Sequence, residues 1–390
     1  MRPLRPPCSI GCTHLNLAAL ETGAERESVW LGALFCSDAR MMIHHSDSRH
    51  SIGRLLMRLL AAGCFAAIVS VPLVPSAQWP VLPPWQSASG PGGADYPWTQ
   101  TTTTKYTNAQ DPDLTYWIVA PRGWKGAGAA PARLPLVVFL HGWGANDPFY
   151  YQYWLGHLAR KGRIVVFPTY QNFTTLWFSF APKAIVSIQQ AMSQIDAGTP
   201  GANGLFLDAI AGMTVIGHSA GATTAVNVAA RYGAAQLPQP RALLLVNPAN
   251  SIVDASLAGV PSTTLLDCVV GDDDNVVGRT GCDAVWDKTG HISAANRNYI
   301  WMYSDAHGWP ALIASHFVAP TLNALAFNGV WKLGDALADC GSYQTECATA
   351  VGGGLQQTGM GSWSDGVPIR PLSVTTQKPM CPAGSHATGC

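Results

Sequence analysis

The chain has 390 residues, of which 48% are hydrophobic and 12% charged; Lys plus Arg and Asp plus Glu each number 23, so the formal net charge is zero. The lack of a basic excess argues against a nucleic-acid-binding protein, and high hydrophobicity without net charge argues against intrinsic disorder. A chain of this length can bury a large core as one large domain or two ordinary ones.

The first apolar run predicts export. Arg54 and Arg58 precede the run Leu59–Val74, and small residues follow it. This pattern is typical of a secretory signal, and the run is shorter than the ~20 apolar residues of a membrane span. An uncleaved N-terminal anchor is the alternative. We therefore expect residues 1–77 to be an extension with a signal peptide or anchor, and the protein to be secreted, periplasmic or at the cell surface, with no other stable membrane span.

The composition then divides the rest of the chain. Residues 78–104 are rich in Pro, Gly, Ser and Thr, which is typical of an extended lead-in. Between 105 and 340, short apolar runs that suit buried strands alternate with helical patterns. This alternation predicts an α/β domain with a mostly parallel central sheet and helices on both faces. Residues 341–390 are loop-rich and are expected to pack on that domain.

The central motif is Gly217-His218-Ser219-Ala220-Gly221. It follows a strand-like run and opens a helix-like stretch, which is the context of a nucleophile elbow. Gly217 and Gly221 provide the small flanking positions that such a sharp turn needs. Ser219 is therefore the candidate nucleophile, and a glycine-rich turn with an ordinary serine is the alternative.

A second glycine-containing turn follows an earlier strand. The run Leu136–Leu140 leads directly into His141-Gly142-Trp143-Gly144. In active sites built on a nucleophile elbow, two backbone N–H groups bind the oxyanion. One belongs to a turn after an earlier strand and the other to the residue after the nucleophile. We therefore expect the backbone N–H groups of Trp143 and Ala220 to form an oxyanion hole. His141 is expected to be structural.

The acid is expected after a later strand, since such sites use the chain order Ser, acid, His. The strand-like run Thr264–Val270 is followed by Asp272, Asp273 and Asp274. Asp274 has the best spacing for the acid. A solvated acidic turn or a calcium loop is the alternative, since clustered Asp residues also bind hard cations.

Two histidines compete for the role of general base. His307 comes soon after the last strand-like run, Tyr299–Tyr303, and His316 follows it by nine positions. Loop length favours His307, with His316 as the alternative. His291 precedes the strand and is therefore a poor candidate for the base. His157 lies on a helical pattern and is expected at the surface.

Six cysteines lie beyond the presumed signal. An even set in an exported domain suggests disulfides, and pairing of nearest neighbours is the simplest connectivity. The predicted pairs are Cys268–Cys282, Cys340–Cys347 and Cys381–Cys390. None of these cysteines shows zinc-ligand spacing, so no metal site is expected.

Residues about 113–335 resemble the α/β-hydrolase superfamily, because HGWG, GHSAG, GDDD and a late histidine occur in the order that superfamily uses. The stretch SHFVAP looks like the histidine loop of bacterial cutinases and related polyester hydrolases, and AHGWP resembles that of polyhydroxyalkanoate depolymerase and feruloyl esterase relatives; dienelactone hydrolases are similar too. The resemblance implies a secreted serine esterase or lipase-like enzyme that uses a Ser-His-Asp triad without a cofactor.

The expected partner is a small-molecule or polymeric ester. The alternatives are a peptidase, thioesterase or acyltransferase on the same fold, or a non-catalytic binding protein, since a fold does not determine a function. The sequence does not indicate the oligomeric state.

Overall fold

The computed structural model describes residues 80–250, 253, 254 and 256–390, so the predicted signal or anchor lies outside the described residues. The strands are β1 (Trp98–Tyr106), β2 (Tyr116–Trp124), β3 (Arg133–Leu134), β4 (Leu136–Leu140), β5 (Ile164–Pro168), β6 (Phe206–Leu207), β7 (Met213–His218), β8 (Pro240–Val246), β9 (Leu265–Gly271), β10 (Arg297–Met302) and β11 (Ser373–Thr375).

The helices lie mainly between these strands. They are α1 (Gln152–Arg160), α2 (Phe180–Asp196), α3 (Ala220–Ala230), α4 (Thr280–Lys288), α5 (Lys332–Tyr343), α6 (Cys347–Ala350) and α7 (Leu355–Thr358), and a π-helical turn (Ala326–Trp331) leads into α5. Short 3-10 segments occur at Pro112–Leu114, Pro148–Tyr151, Trp177–Ser179, Pro200–Ala202, Ala294–Asn296 and His316–Val318.

Nine strands form one sheet in the order β1-β2-β5-β4-β7-β8-β9-β10-β11, and β3 pairs with β6 in a separate two-stranded sheet. The strands from β5 through β10 in this order are mutually parallel. Antiparallel strands lie at both edges, with β1 and β2 on one side and β11 on the other. The predicted α/β class with a mostly parallel sheet is confirmed.

Helices flank the sheet on both faces because alternate strand residues point to opposite sides. In β4, Val138 packs in a core cluster with residues of α2 and α3. Its neighbours Val137 and Phe139 pack in a second cluster with residues of α1 and α5. Both faces are buried, which explains why the central strands are continuous apolar runs without polar alternation.

The C-terminal segment contributes a strand and buried side chains to the same unit. Strand β11 pairs antiparallel with β10, and Trp363, Ile369 and Leu372 are buried in the cluster that contains α1 and α5 residues. These contacts bring the last part of the chain to the edge of the sheet.

The predicted disulfides are confirmed as Cys268–Cys282, Cys340–Cys347 and Cys381–Cys390. Disulfides are compatible with an extracellular protein. Within the part of the chain that the structure describes, no helix combines the length and apolar character needed to cross a membrane.

Candidate active site

Ser219 occupies a sharp turn between β7 and α3. Its backbone has φ 57° and ψ −124°, a strained conformation for a residue other than glycine. The turn is possible because its neighbours are glycines: a Cβ on Gly217 would lie 2.3 Å from the Gly221 carbonyl oxygen, and a Cβ on Gly221 would lie 2.0 Å from that of Leu140. This packing holds Ser219 at the carboxyl end of β7 and at the N-terminus of α3.

Three distant side chains meet at this turn. Ser219 Oγ lies 3.0 Å from His316 Nε2, and His316 Nδ1 lies 2.9 Å from Asp274 Oδ2. The contact to the carboxylate assigns a proton to Nδ1, so Nε2 is left to accept the hydroxyl proton of Ser219. All three residues are buried, with Ser219 the most accessible at 8% exposure.

Asp274 is held as a carboxylate. Its other oxygen accepts the backbone N–H groups of Val276 and Val277, each at 3.0 Å. Burial by itself raises the pKa of Asp274, but the hydrogen bond and charge of His316, together with the backbone N–H groups of the turn, outweigh burial and hold this pKa below its ordinary value. A charged acceptor therefore faces His316 Nδ1.

The preferred sequence assignment of the histidine is corrected: His316, the alternative, contacts Ser219, and His307 does not. His307 Nε2 instead lies 2.7 Å from Asp365 Oδ2 in the C-terminal segment. The reason is the path of the chain after β10. Asp305 and Leu312 exchange backbone hydrogen bonds of 2.7 and 2.8 Å. These bonds close a loop between the two residues, and His307 lies in that loop.

The chain then returns to the site. Asp273 pairs in parallel with Ser315, and its N–H donates to the Ala314 carbonyl oxygen at 3.2 Å. This pairing brings the next residue, His316, beside the turn that carries Asp274. The number of residues after β10 favoured His307 because that count did not allow for the loop closed by Asp305 and Leu312.

The three consecutive aspartates after β9 have separate partners. Asp272 Oδ1 accepts from Ser304, Asp273 Oδ1 lies 2.9 Å from His386 Nδ1, and Asp274 pairs with His316. Among the described residues, no group of three or more His, Cys, Asp or Glu side chains is arranged to hold a metal ion.

Asn247 is a buried residue of the site that the sequence analysis missed. Its side-chain amide donates to the carbonyl oxygens of Ser315 at 3.1 Å and of His316 at 3.2 Å, and its Oδ1 accepts the N–H of Gly271 at 2.9 Å. It therefore joins the segment carrying His316 to the end of β9. Its position directly after β8 was the available signal, since ligands and functional groups gather beyond the carboxyl ends of parallel strands.

The turn after β4 carries the predicted oxyanion donor Trp143. Within residues 80–250, 253, 254 and 256–390, no hydrogen bond is formed by the backbone N–H of Trp143 or of Ala220, the residue after Ser219. Buried Gln171 braces the turn, accepting from Gly144 N–H at 3.4 Å and donating to the Gly142 carbonyl at 3.2 Å.

His141 at the start of this turn is fully buried, and its Nε2 lies 2.5 Å from the Thr169 carbonyl oxygen. Burial lowers the pKa of His141 to about 4, although hydrogen bonds to the Gly142 and Thr169 carbonyl oxygens oppose the shift. These contacts fit a structural residue.

An open groove of about 440 Å³ lies over Ser219. Apolar side chains dominate its walls, and the exposed ones are Trp143, Tyr150, Phe173, Val276 and Phe317. Trp143 and Phe173 meet edge to face with ring centroids 5.1 Å apart. Among the described residues that line the groove, His218 and His316 are the only titratable side chains besides tyrosines, and none is an Asp, Glu, Lys or Arg.

Comparison with models of protein families and with curated proteins found no match to this chain.

Proposed function

We propose that the protein is a serine hydrolase that cleaves carboxylic esters through an acyl-enzyme. The observation that carries this proposal is the hydrogen-bonded series from Ser219 through His316 to Asp274, at the base of an apolar groove. A serine, an imidazole and a carboxylate in this order form the nucleophile, general base and orienting acid of acyl-transfer enzymes.

In the first half of the reaction, Ser219 Oγ attacks the ester carbonyl carbon while its proton passes to His316 Nε2. Asp274 accepts the Nδ1–H throughout and stabilises the imidazolium that forms. The backbone N–H groups of Trp143 and Ala220 stabilise the tetrahedral oxyanion; one such donor contributes about 3 kcal/mol. His316 then gives its proton to the departing alcohol oxygen, which leaves the acyl group on Ser219.

In the second half, water enters the open groove and His316 Nε2 accepts one of its protons. The hydroxide attacks the acyl carbon, Ser219 Oγ departs, and His316 returns the proton to it. The products are a carboxylic acid and an alcohol, and this route uses no cofactor.

We also propose that the chain has the α/β-hydrolase fold. Three features support this: the strained serine at a strand-to-helix turn, the chain order Ser219, Asp274, His316, and a turn after an earlier strand positioned to supply Trp143. The parallel strands flanked by antiparallel edge strands are compatible with it.

The groove favours uncharged esters with apolar groups. Its walls carry aromatic and aliphatic side chains, and the described lining offers no cation to a charged acyl group. The described lining residues include no helix or loop that covers the groove, and an open groove suits small or polymeric esters. Secretion is part of the proposal, and the three disulfides support it.

The proposal is tested by treating the purified protein with an organophosphonate and by assaying p-nitrophenyl butyrate, an amide, a thioester and an acyl acceptor in parallel. We expect the ester to be the best substrate and the probe to add its mass at Ser219. Ser219→Ala should abolish both, whereas Ser262→Ala, at an exposed loop position, should abolish neither. Unlabelled wild-type protein would favour a binding role, and faster turnover of the amide or thioester would replace the esterase assignment.

A further inference from the structure

A continuous set of hydrogen bonds connects four residues that line the groove: Gly142, Tyr151, His218 and His316. The N–H of Gly142 donates to Tyr151 Oη at 3.0 Å. Tyr151 Oη lies 2.8 Å from His218 Nδ1, and His218 Nε2 lies 2.7 Å from the backbone carbonyl oxygen of His316. His218 is the residue immediately before Ser219, so the connection runs through the residue bonded to the proposed nucleophile.

The proton positions in this set follow from its ends. A carbonyl oxygen can only accept, so His218 Nε2 carries a hydrogen and donates to His316. Burial first, and then the charge of His316, lower the pKa of His218 to about 3, so the ring is neutral and Nδ1 is an acceptor. Burial raises the pKa of Tyr151 above its ordinary value, so Tyr151 keeps its hydroxyl hydrogen and donates it to His218.

The donor and the acceptor of each hydrogen bond are therefore assigned. Gly142 donates to Tyr151, Tyr151 donates to His218, and His218 donates to the His316 carbonyl. Gly142 directly precedes Trp143, whose N–H is assigned to the oxyanion hole. The set thus joins the turn that stabilises the oxyanion to the backbone of the residue that moves the proton.

We propose that Tyr151 and His218 are positioning residues that hold the Trp143 turn and the His316 loop at a fixed separation across Ser219. The inference rests on the proposed function for its kinetic consequence. Loss of the connection lets the two loops shift relative to one another, and displacement of catalytic groups by about 1 Å costs about 100-fold in rate.

The Tyr151 hydroxyl is separable from the packing of its ring. Tyr151 is buried, and its ring contacts Phe139 with centroids 4.9 Å apart. Tyr151→Phe keeps this contact and removes both hydrogen bonds made by the hydroxyl. Tyr153→Phe is the matched control, because Tyr153 lies on the exposed face of α1 and does not line the groove over Ser219.

We expect Tyr151→Phe to lower kcat for p-nitrophenyl butyrate by about 10-fold or more, with KM within about twofold of wild type, because the loss falls on transition-state alignment. The rate of organophosphonate labelling should fall in parallel. Tyr153→Phe should match wild type in both measurements. A Tyr151→Phe enzyme with wild-type kcat, or one whose loss appears only in KM, would overturn the proposal.

A double-mutant cycle tests whether the two residues act through one connection. His218→Gln is combined with Tyr151→Phe, and the double variant should be no slower than the slower single variant, since either change breaks the same set of hydrogen bonds. Multiplying losses would show independent roles and contradict the inference. If His218→Gln does not fold, the Tyr151→Phe result decides alone.

Imidazole ¹⁵N NMR gives a readout that does not depend on hydrolysis. Wild-type His218 should stay neutral with its proton on Nε2 from pH 5 to 8, and Tyr151→Phe should shift the Nδ1 resonance by removing its donor. A proton on Nδ1 in wild type would refute the connection even if the enzyme is active. If the spectrum shows His218 neutral with its proton on Nε2 but the protein has no Ser219-dependent hydrolysis, the hydrogen-bond connection stands and the proposed function is refuted.

Discussion

His307 and Asp365 face each other across two loops, with His307 Nε2 2.7 Å from Asp365 Oδ2 and both side chains about one-third exposed (37% and 35%). This contact ties the loop closed by Asp305 and Leu312 to the C-terminal segment. Exposed pairs of this kind contribute little to stability, because solvent screens the attraction between their charges. His307 therefore has a modest structural role.

We accordingly expect His316→Ala to lower kcat for p-nitrophenyl butyrate by about 10³-fold or more, because it removes the general base, and His307→Ala to lower it less than about threefold. Steady-state kinetics of the two variants at pH 8 checks this. A severe loss in His307→Ala together with a mild one in His316→Ala would reverse the assignment.

The C-terminal loop closed by Cys381–Cys390 contacts the turn that carries Asp274. The N–H of His386 donates to the Asp272 carbonyl at 2.8 Å, and that of Thr388 donates to the Asp274 carbonyl at 2.9 Å. The N–H of Arg279 donates back to the Thr388 carbonyl at 3.0 Å. The turn Asp272–Asp274 is thus held by backbone hydrogen bonds from the loop that carries His386 and Thr388.

Replacing both cysteines of this loop by serine should lower kcat several-fold and destabilise the protein by about 2 kcal/mol, because the loop loses its covalent closure. The matched control is Cys340→Ser with Cys347→Ser, since that disulfide joins α5 to α6, and within the described residues neither helix forms a backbone hydrogen bond with Asp272–Asp274. The control should lose stability and keep kcat. Equal kcat in all three proteins would remove the loop from any role at the site.

Phe173 is 73% exposed and packs edge to face on Trp143 at the groove. Phe173→Ala should reduce kcat/KM by about threefold to tenfold for p-nitrophenyl octanoate and by less than twofold for the acetate, because apolar contact contributes about 25 cal/mol per Å² buried. Phe178→Ala, an exposed position that does not line the groove, is the control. The same loss on both esters would contradict an acyl-binding role.

Asp267 is a fully buried carboxyl in β9 whose Oδ1 accepts from Asn298 Nδ2 at 2.8 Å. Burial raises its pKa to about 8, although hydrogen bonds from Asn298 and Gln357 oppose the shift. The folded state therefore keeps a proton that the unfolded chain releases at about pH 4, where an aspartate ordinarily titrates. The free energy of unfolding falls as pH rises between these values, by at most about 1.4 kcal/mol per pH unit, and the contribution levels off above about pH 8.

Asp267→Asn removes this titration and keeps a similar shape. We expect the stability of the variant relative to wild type to increase from pH 5 to pH 8, as measured by urea unfolding at both values. A difference that does not change with pH would show that Asp267 titrates normally.

The elements that the sequence determined are those set by local pattern. Continuous apolar runs specified the parallel strands, the glycines beside Ser219 specified the sharp turn, and close spacing specified all three disulfide pairs. Asp274 was predicted as the acid because it lies three positions after Gly271, the last residue of β9, and so short a connection limits where its side chain can lie. The structure places its Oδ2 2.9 Å from His316 Nδ1.

The tertiary structure alone decided which histidine meets Ser219, because that choice depends on how a long loop folds back and on a backbone pairing between Asp273 and Ser315. The tertiary structure also decided the environment of His157, which the helical pattern wrongly predicted to lie at the surface. It is fully buried, with Nε2 2.8 Å from Asp335, because a carboxylate from a helix 178 positions later completes its hydrogen bonding. Contacts between residues far apart in the chain leave no periodic signal in either segment, so only the folded arrangement reveals them.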